Sequence, residues 1–386
     1  MNDRRRSEES EVDDWIKVVD RLPFVGAVKR DLTALRELLY DRRAPRIAAV
    51  GMPGSGRTSL ANALLNAAAF GPGGAAEAPA AGRWVRIDAD GRRLDWLELP
   101  AELERAALLE RARPAFDETV PDVLVGVVEA GTEESAAKRV HDALDALLAD
   151  LGDHHEHRKP PVLVVLTKVD TLPPTDAVPP YPADKRTAVD LAIQSLRKSL
   201  ADLGQPDEAF RPVCARPLDA PGAPRWNVAK VGEELLERLP EAAQVEAVRA
   251  FEVGREARRR VARAVVNSST ALAVTVGLAP VPFADAFILL PLQAAMVTGI
   301  AYLSGRPWDR KAASEWIASI GVAGGAGFGL RWGARQLAKL VPGAGSLVGA
   351  GVAGAGTLAI GRSAMGYFID GPGSLNRRPE LRADNA

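Results

Sequence analysis

The feature that most narrows what this chain can fold into is the passage from Ile47-Ala48-Ala49-Val50, through Gly51-Met52-Pro53-Gly54-Ser55-Gly56-Arg57-Thr58, into Leu60-Ala61-Asn62-Ala63-Leu64-Leu65. A short apolar run closed by glycine reads as a buried strand, and the segment beyond the loop has the composition of a helix. Strand, glycine-rich loop and helix in that order form the frame of a phosphate-binding loop. Its glycines let backbone N–H groups close round phosphate oxygens, a lysine reaches the outer phosphates, and a hydroxyl residue binds Mg²⁺. The phosphate-binding set here is Gly51, Gly54, Ser55, Gly56, Arg57, Thr58 and Ser59. Arg57 stands where the motif has lysine. It keeps the charge but replaces a compact ammonium with a wide planar fork, which is not a conservative exchange where backbone crowds the phosphate. The loop points to nucleotide binding, and the substitution points away from efficient catalysis.

Length and composition set the frame around this loop. At 386 residues the chain exceeds what one core usually supports, so at least two domains are expected. The net charge of -1 gives no global field toward nucleic acid. The single cysteine, Cys214, excludes an internal disulfide framework, and the charged start, Asp3, Arg4, Arg5, Arg6, shows no signal peptide. The nucleotide-binding part is therefore expected to face the cytoplasm.

Four segments are expected. Residues 1–45 carry Trp15, Ile16, Val19, Leu22, Val25, Val28, Leu32, Leu35, Leu38 and Leu39 at roughly helical spacing, an amphipathic element suited to docking. Residues 46–242 alternate strand and helix patterns, which predicts an α/β fold with a mostly parallel sheet and helices on both faces. Strands are expected at 46–50, 83–88, 92–98, 122–129, 161–167 and 210–215, and helices at 58–67, 101–113, 133–151, 184–203 and 228–242. The second and third strands meet at Asp90-Gly91, a hairpin signal, and should pair antiparallel. Phe70 to Gly82 and Thr171 to Pro182 read as loops, the first lying where a nucleotide switch would be. Residues 243–373 change to an all-α, glycine- and alanine-rich pattern, and 374–386 reads as a disordered tail.

A second motif completes the nucleotide site. Val162-Leu163-Val164-Val165-Leu166 reads as a buried strand running into Thr167-Lys168-Val169-Asp170. An aspartate there can accept two hydrogen bonds from guanine N1 and N2, where adenine has no matching donors, and the lysine stem can cover the base. Together these motifs resemble the Era-like branch of the translation-factor-related GTPases over residues 46–242. The resemblance extends weakly to Pro212-Val213-Cys214-Ala215, and it implies that Cys214 and Ala215 touch the guanine and that the ligands are GTP or GDP with Mg²⁺. For Cys214 a small buried residue at a strand end is the equal alternative.

The departures from that family pattern matter as much. No serine or threonine occurs from Leu60 to Glu118, so the first-switch threonine has no candidate. The second-switch motif appears as Glu98-Leu99-Pro100-Ala101, without its glycine. Thr58 and Glu98 are the expected Mg²⁺ residues, Glu98 through water, with a merely solvated carboxylate as the alternative. No catalytic residue is assigned. Arg57, the missing threonine and Ala101 together favour binding with weak or absent hydrolysis. Asp153-His154-His155-Glu156-His157 has metal-binding residue types, but ligands crowded on one loop are usually only solvated.

From Ala264 to Gly305 the only charged residue is Asp285. That span is long enough for two helices of the about 20 residues a bilayer needs, divided at Pro280-Val281-Pro282-Phe283-Ala284-Asp285. Arginines at both ends place both ends in the cytoplasm if the span is a transmembrane hairpin. Gly321, Gly325, Gly329 and Gly333, and then Gly345, Gly349 and Ala353, fall every fourth residue, a small-residue pattern that suits helix association or self-association. A soluble bundle with tight crossings is the alternative. Asp285 reads as a helix N-cap, or less simply as an ion site. Pro280, Pro282, Asp285, Leu289, Gln293 and Met296 resemble the helical domain that follows many bacterial Era-like GTPases, which implies membrane association. The expected protein couples guanine-nucleotide state to a helical domain at the inner or plasma membrane. A non-catalytic scaffold, a ribosome assembly factor and a membrane-remodelling protein are the rivals. The second is opposed by the lack of a basic, Gly-x-x-Gly pattern after residue 242, so no nucleic-acid partner is expected.

Overall fold

The computed structural model describes residues 35, 37–39, 41–67, 70, 81–89, 91–154, 159–201, 209–216, 225–278, 289–308, 316 and 346–371. They fall into two compact units. One is Arg43–Gly254; the other combines Arg255–Arg378 with Met1–Arg42.

The first unit is built in the order β1 (Arg46–Gly51), α1 (Arg57–Leu65), β2 (Trp84–Ala89), β3 (Arg92–Pro100), α2 (Arg105–Glu118), β4 (Val123–Glu129), α3 (Glu134–His154), β5 (Val162–Thr167), α4 (Ala183–Ser199), β6 (Phe210–Pro212), α5 (Val228–Arg238) and α6 (Glu241–Ala250). The six strands form one sheet in the order β2-β3-β1-β4-β5-β6. Only the β2–β3 pair is antiparallel, as the Asp90-Gly91 signal predicts. β1, β4 and β5 lie inside the sheet with both faces covered, which is why they read as near-continuous apolar runs rather than alternating ones. Ala48, Val50, Leu124, Val164 and Leu166 pack beneath α2, α3 and α4, with Phe116, Leu144 and Leu147 filling the layer between. At Gly126 a Cβ would stand 2.9 Å from the Leu144 side chain, so the glycine lets α3 lie close over β4.

Three boundaries differ from expectation for local reasons. β6 is shorter than 210–215 because Cys214 leaves the ladder and pairs across an isolated bridge with Trp226. The helix expected at 101–113 starts at Arg105, after a turn. The helix expected at 228–242 is two helices, because Pro240 has no N–H to donate and its ring obstructs the preceding turn. The second of these, α6, packs on β3, where buried Glu246 meets Arg93 at 2.6 Å.

The second unit contains α7 (Arg255–Leu278), α8 (Leu290–Leu303) and α9 (Ser346–Met365), which passes into a wide turn at Gly366–Asp370. α7 and α9 run antiparallel in close contact. A Cβ at Gly354 would meet Val274 at 2.5 Å, and one at Gly361 would meet Val266 at 2.7 Å, so these glycines set the separation. Of the small residues expected to pack, Ala353 is buried. Gln293 on α8 donates to Thr357 Oγ1 at 3.1 Å, and Leu289 and Met296 are buried. In the same unit Leu39 lies against Gly299, and the Arg42 guanidinium stacks over Tyr302 and Trp308 at 4.6 and 3.9 Å.

The transmembrane expectation is corrected here: among the described residues no helix is long and apolar enough to cross a membrane. Among the described residues the uncharged span holds no two full-length spans. α7 draws its first turns from the charged Arg255–Arg263 segment, and α8 has only 14 residues. α9 has 20 residues, but its glycines and alanines are only mildly apolar and Arg362 lies within it. Gly345 and the stripe at Gly321, Gly325, Gly329 and Gly333, the Pro280 to Asp285 segment, residues 71–80, residues 155–157, residues 1–34 and the 374–386 tail lie outside the described residues.

Candidate functional site

The chain leaves β1 toward β3 on one side, and β4 continues to β5 on the other, so the ends of β1 and β4 bound the crevice where strand order reverses. The loop Gly51–Gly56 sits at this point. Gly54 and Gly56 hold φ values of 76° and 94°, which residues with a Cβ rarely adopt. A Cβ at Gly51 would come within 2.6 Å of both Ser55 Oγ and the Val127 carbonyl. Thr58 and Ser59 open α1, whose first turn carries no side-chain cap, so its leading N–H groups remain available to an anion. Ser55 Oγ is buried and has no hydrogen-bond partner among the described residues.

Arg57 takes a direction that the sequence does not reveal. Its guanidinium donates to the carbonyl oxygens of Gly51 and Leu99, the latter at 3.0 Å, and its Nε lies 3.3 Å from Glu98 Oε2. The other oxygen of that carboxylate, Oε1, accepts from Thr58 Oγ1 at 2.9 Å and from Trp96 Nε1 at 3.1 Å. Glu98 is only 6% exposed. The structure therefore brings together Thr58 and Glu98, the expected Mg²⁺ residues. It also supplies Glu98 with a cation and two donors from the protein itself, and a carboxylate engaged in this way does not fit the role of a ligand waiting for a hydrated metal ion. Trp96 was not legible as part of the site; its place on a buried strand two residues before Glu98 is the only signal.

The second motif reaches the same crevice. Thr167 Oγ1 donates to the Ser55 carbonyl at 2.5 Å and to the Val128 carbonyl at 3.2 Å, tying the end of β5 to the loop. A Cβ at Gly56 would lie 3.6 Å from Thr167 Oγ1. Lys168 follows in a left-handed conformation, φ 55°, and its Nζ meets Glu129 at 2.9 Å. Asp170 sits in the short turn Val169–Thr171, and its Oδ2 accepts from Arg216 Nε at 2.8 Å and Nη2 at 2.6 Å. Burial works against the charged form of Asp170, but hydrogen bonds from Arg216 and Cys214 outweigh it and hold the carboxyl below its ordinary range. Cys214 and Ala215 are both buried beside this motif. Burial, and then the neighbouring Asp170 charge, push the Cys214 thiol up to about 11. The same burial, with Cys214 and Asp170 nearby, raises Tyr181 well above the usual phenol value.

One supporting residue had no sequence signal. Lys185, fully buried on α4, donates from Nζ to the carbonyls of Asp170 (3.0 Å), Leu172 and Pro174 (3.2 Å). It gathers the chain after β5 around one ammonium, which fixes where Asp170 stands. Desolvation by burial lowers its pKa, and Asp170 acts in the opposite sense. Among the described residues, no group of three or more His, Cys, Asp or Glu side chains could hold a metal ion.

This arrangement defines a doubly wound α/β unit with a glycine loop and a Thr-Lys-Val-Asp turn meeting at its switch point. No family model matches the chain. It is 32% identical over 123 residues to Magnetosome membrane protein 22 of Magnetospirillum gryphiswaldense, a match covering 30% of this chain and 62% of that protein, less than two thirds of the relative's length. Among solved structures, it resembles the SsGBP–GDP complex (17% identity, TM-score 0.33, 53% of each chain). It also resembles Toc33 from Arabidopsis thaliana (17%, TM-score 0.35, 57% of this chain and 95% of that one). A third likeness is to Aquifex aeolicus Era bound to GDP and AlF4- (18%, TM-score 0.29, 60% and 66%). These likenesses are distant, and the strand order and the site geometry carry the functional reading.

Proposed function

We propose that Arg43–Gly254 is a guanine-nucleotide-binding unit of Era-like type with weak or absent hydrolysis, and that nucleotide occupancy biases a membrane-associated helical unit. The observation that carries the reading is the hydrogen bond from Thr167 to the Ser55 carbonyl, which joins a loop shaped for phosphate to a turn that presents Asp170. In this reading the N–H groups of Gly54 to Ser59 surround the phosphates, Asp170 accepts from guanine N1 and N2, and the Lys168 stem covers the base. Cys214 and Ala215 line the base site. Hydrolysis is weak because Arg57 is engaged with Glu98 and no threonine stands in the first-switch region. Membrane association draws support from the uncharged span after Ala264 and from the partial likeness to a magnetosome membrane protein.

The test is titration of the full chain with fluorescent GDP, GTP and ATP, followed by product analysis over hours and by sedimentation with anionic liposomes in each nucleotide state. Guanine-selective binding that Asp170→Asn removes supports the site, and phosphate release far slower than exchange supports weak hydrolysis. Equal affinity for ATP and GTP would refute the base assignment. The scaffold reading stands beside this one because the Arg57–Glu98 pair is self-sufficient. Nucleotide that co-purifies with the protein and never turns over would favour it.

A further inference from the structure

At the loop, the nucleotide and a divalent ion would compete with groups the protein already supplies. A hydrated Mg²⁺ held through Glu98 needs a free carboxylate lone pair facing the phosphates, and the Thr58 hydroxyl as a ligand. Here Thr58 Oγ1 donates to Glu98 at 2.9 Å, Trp96 Nε1 donates to the same oxygen, and Arg57 Nε stands 3.3 Å from the other. The Arg57 side chain is 14% exposed and that of Glu98 8%, so the pair lies largely out of water. The guanidinium is further fastened to the carbonyls of Gly51 and Leu99, one at the start of the loop and one in β3. Thr58 can donate to Glu98 and still offer an oxygen lone pair, but admitting the ion's hydration shell at Glu98 would require Arg57 to abandon a desolvated carboxylate together with two carbonyls. Arginine suits this role as lysine would not: its fork meets the carboxylate and both carbonyls at once, while a point-charge ammonium could serve fewer of them.

We infer that Arg57 is the resident counter-cation of Glu98, and that guanine nucleotide binds this protein without any requirement for Mg²⁺. The inference rests on the nucleotide-binding reading above, and adds that the phosphate end uses a built-in organic cation in place of a metal ion. Charge balance at the carboxylate is then independent of the divalent-ion concentration, and the phosphates are held by the N–H groups of the loop and of α1.

The experiment titrates fluorescent GDP into the full chain in excess Mg²⁺ and again in excess EDTA. The dissociation constants are expected to agree within about threefold. Arg57→Lys should gain a Mg²⁺ dependence above about tenfold, because a shorter point charge leaves Glu98 free to hold the ion. Mn²⁺ paramagnetic resonance needs no variant: wild-type protein with GDP should hold Mn²⁺ no more tightly than GDP alone. Weakening of wild-type binding by EDTA of more than about tenfold overturns metal independence while leaving nucleotide binding intact. Tighter Mn²⁺ in the ternary complex does the same. An Arg57→Lys protein that binds GDP with no Mg²⁺ dependence removes Arg57 from the role. Absence of GDP binding under both conditions overturns the nucleotide reading itself, and this inference with it.

Discussion

The two ends of the candidate site are each closed by an arginine on a carboxylate, and they differ in depth. At the end proposed for phosphate, Arg57 and Glu98 have side chains 14% and 8% exposed, and Thr58, Trp96 and two backbone carbonyls complete the cluster. At the end proposed for the base, Arg216 is 46% exposed and Asp170 15%, and Arg216 lies just beyond Ala215. Buried pairs are hard to break because removing one partner strands a desolvated charge, whereas exposed pairs contribute little and exchange readily with other partners. The phosphate end therefore behaves as structure. The base end behaves as a cover that a ligand with better hydrogen bonds can displace.

The largest expected effect tests the first half of this contrast. Arg57→Ala leaves Glu98 buried without its cation and should destabilise the protein by about 3–5 kcal/mol in a denaturant titration. Arg57→Ala with Glu98→Gln should recover part of that loss, since the amide is neutral and can still accept from Thr58 and Trp96. If the single variant unfolds at the wild-type midpoint, the pair is not structural and the contrast fails. Lys185→Met should come next, at about 1–3 kcal/mol, because the carbonyls of Asp170, Leu172 and Pro174 lose their common donor. It should also weaken guanine binding more than Arg216→Ala does, since Lys185 positions the turn and Arg216 only covers it.

What was legible in the sequence follows a physical rule. β1, β4 and β5 could be placed to within a residue because both faces are buried, and burial leaves unbroken apolar runs. The Asp90-Gly91 hairpin was legible for a different reason, as local turn chemistry fixes the pairing of β2 with β3. Gly54 and Gly56 announced themselves because only glycine takes such φ values without strain. The direction of Arg57 was not legible. A long side chain at the end of a loop can reach phosphate or β3, and the choice depends on Glu98 lying 41 residues later in sequence and buried beneath it. Lys185 and Arg216 reach Asp170 from 15 and 46 residues further along the chain and belong to no motif. α6 was lost at Pro240, where a continuous apolar pattern conceals a break that backbone chemistry requires. The uncharged span after Ala264 was legible as helix but not as environment. Its length suited two membrane spans, whereas among the described residues one helix there includes charged turns and the other has 14 residues.

The smaller effects sharpen the second half of the contrast. Arg216→Ala should change stability by about 0.2–1 kcal/mol, and should strengthen guanine binding a few-fold because the competitor for Asp170 is gone. The acid side has a definite sign. The Asp170 carboxyl lies below its ordinary value in the folded protein, so its stabilising contribution is present above the unfolded carboxylate value and is lost as pH falls through the lower folded value. In Arg216→Ala that loss should move to higher pH, because the main group holding the carboxylate ionised has been removed. A profile of unfolding midpoint against pH that is identical in the wild type and Arg216→Ala would mean that the arginine does not set the ionisation of Asp170. Cys214 supplies the last and smallest readout. With its thiol raised to about 11 by burial, it should resist iodoacetamide at mildly alkaline pH in the folded protein. Arg216→Ala should barely change that rate, since Cys214 is buried and its thiol is hydrogen-bonded to Asp170. Rapid alkylation in the variant alone would show that Arg216 seals the base end, making the cover a part of the fold rather than a displaceable lid.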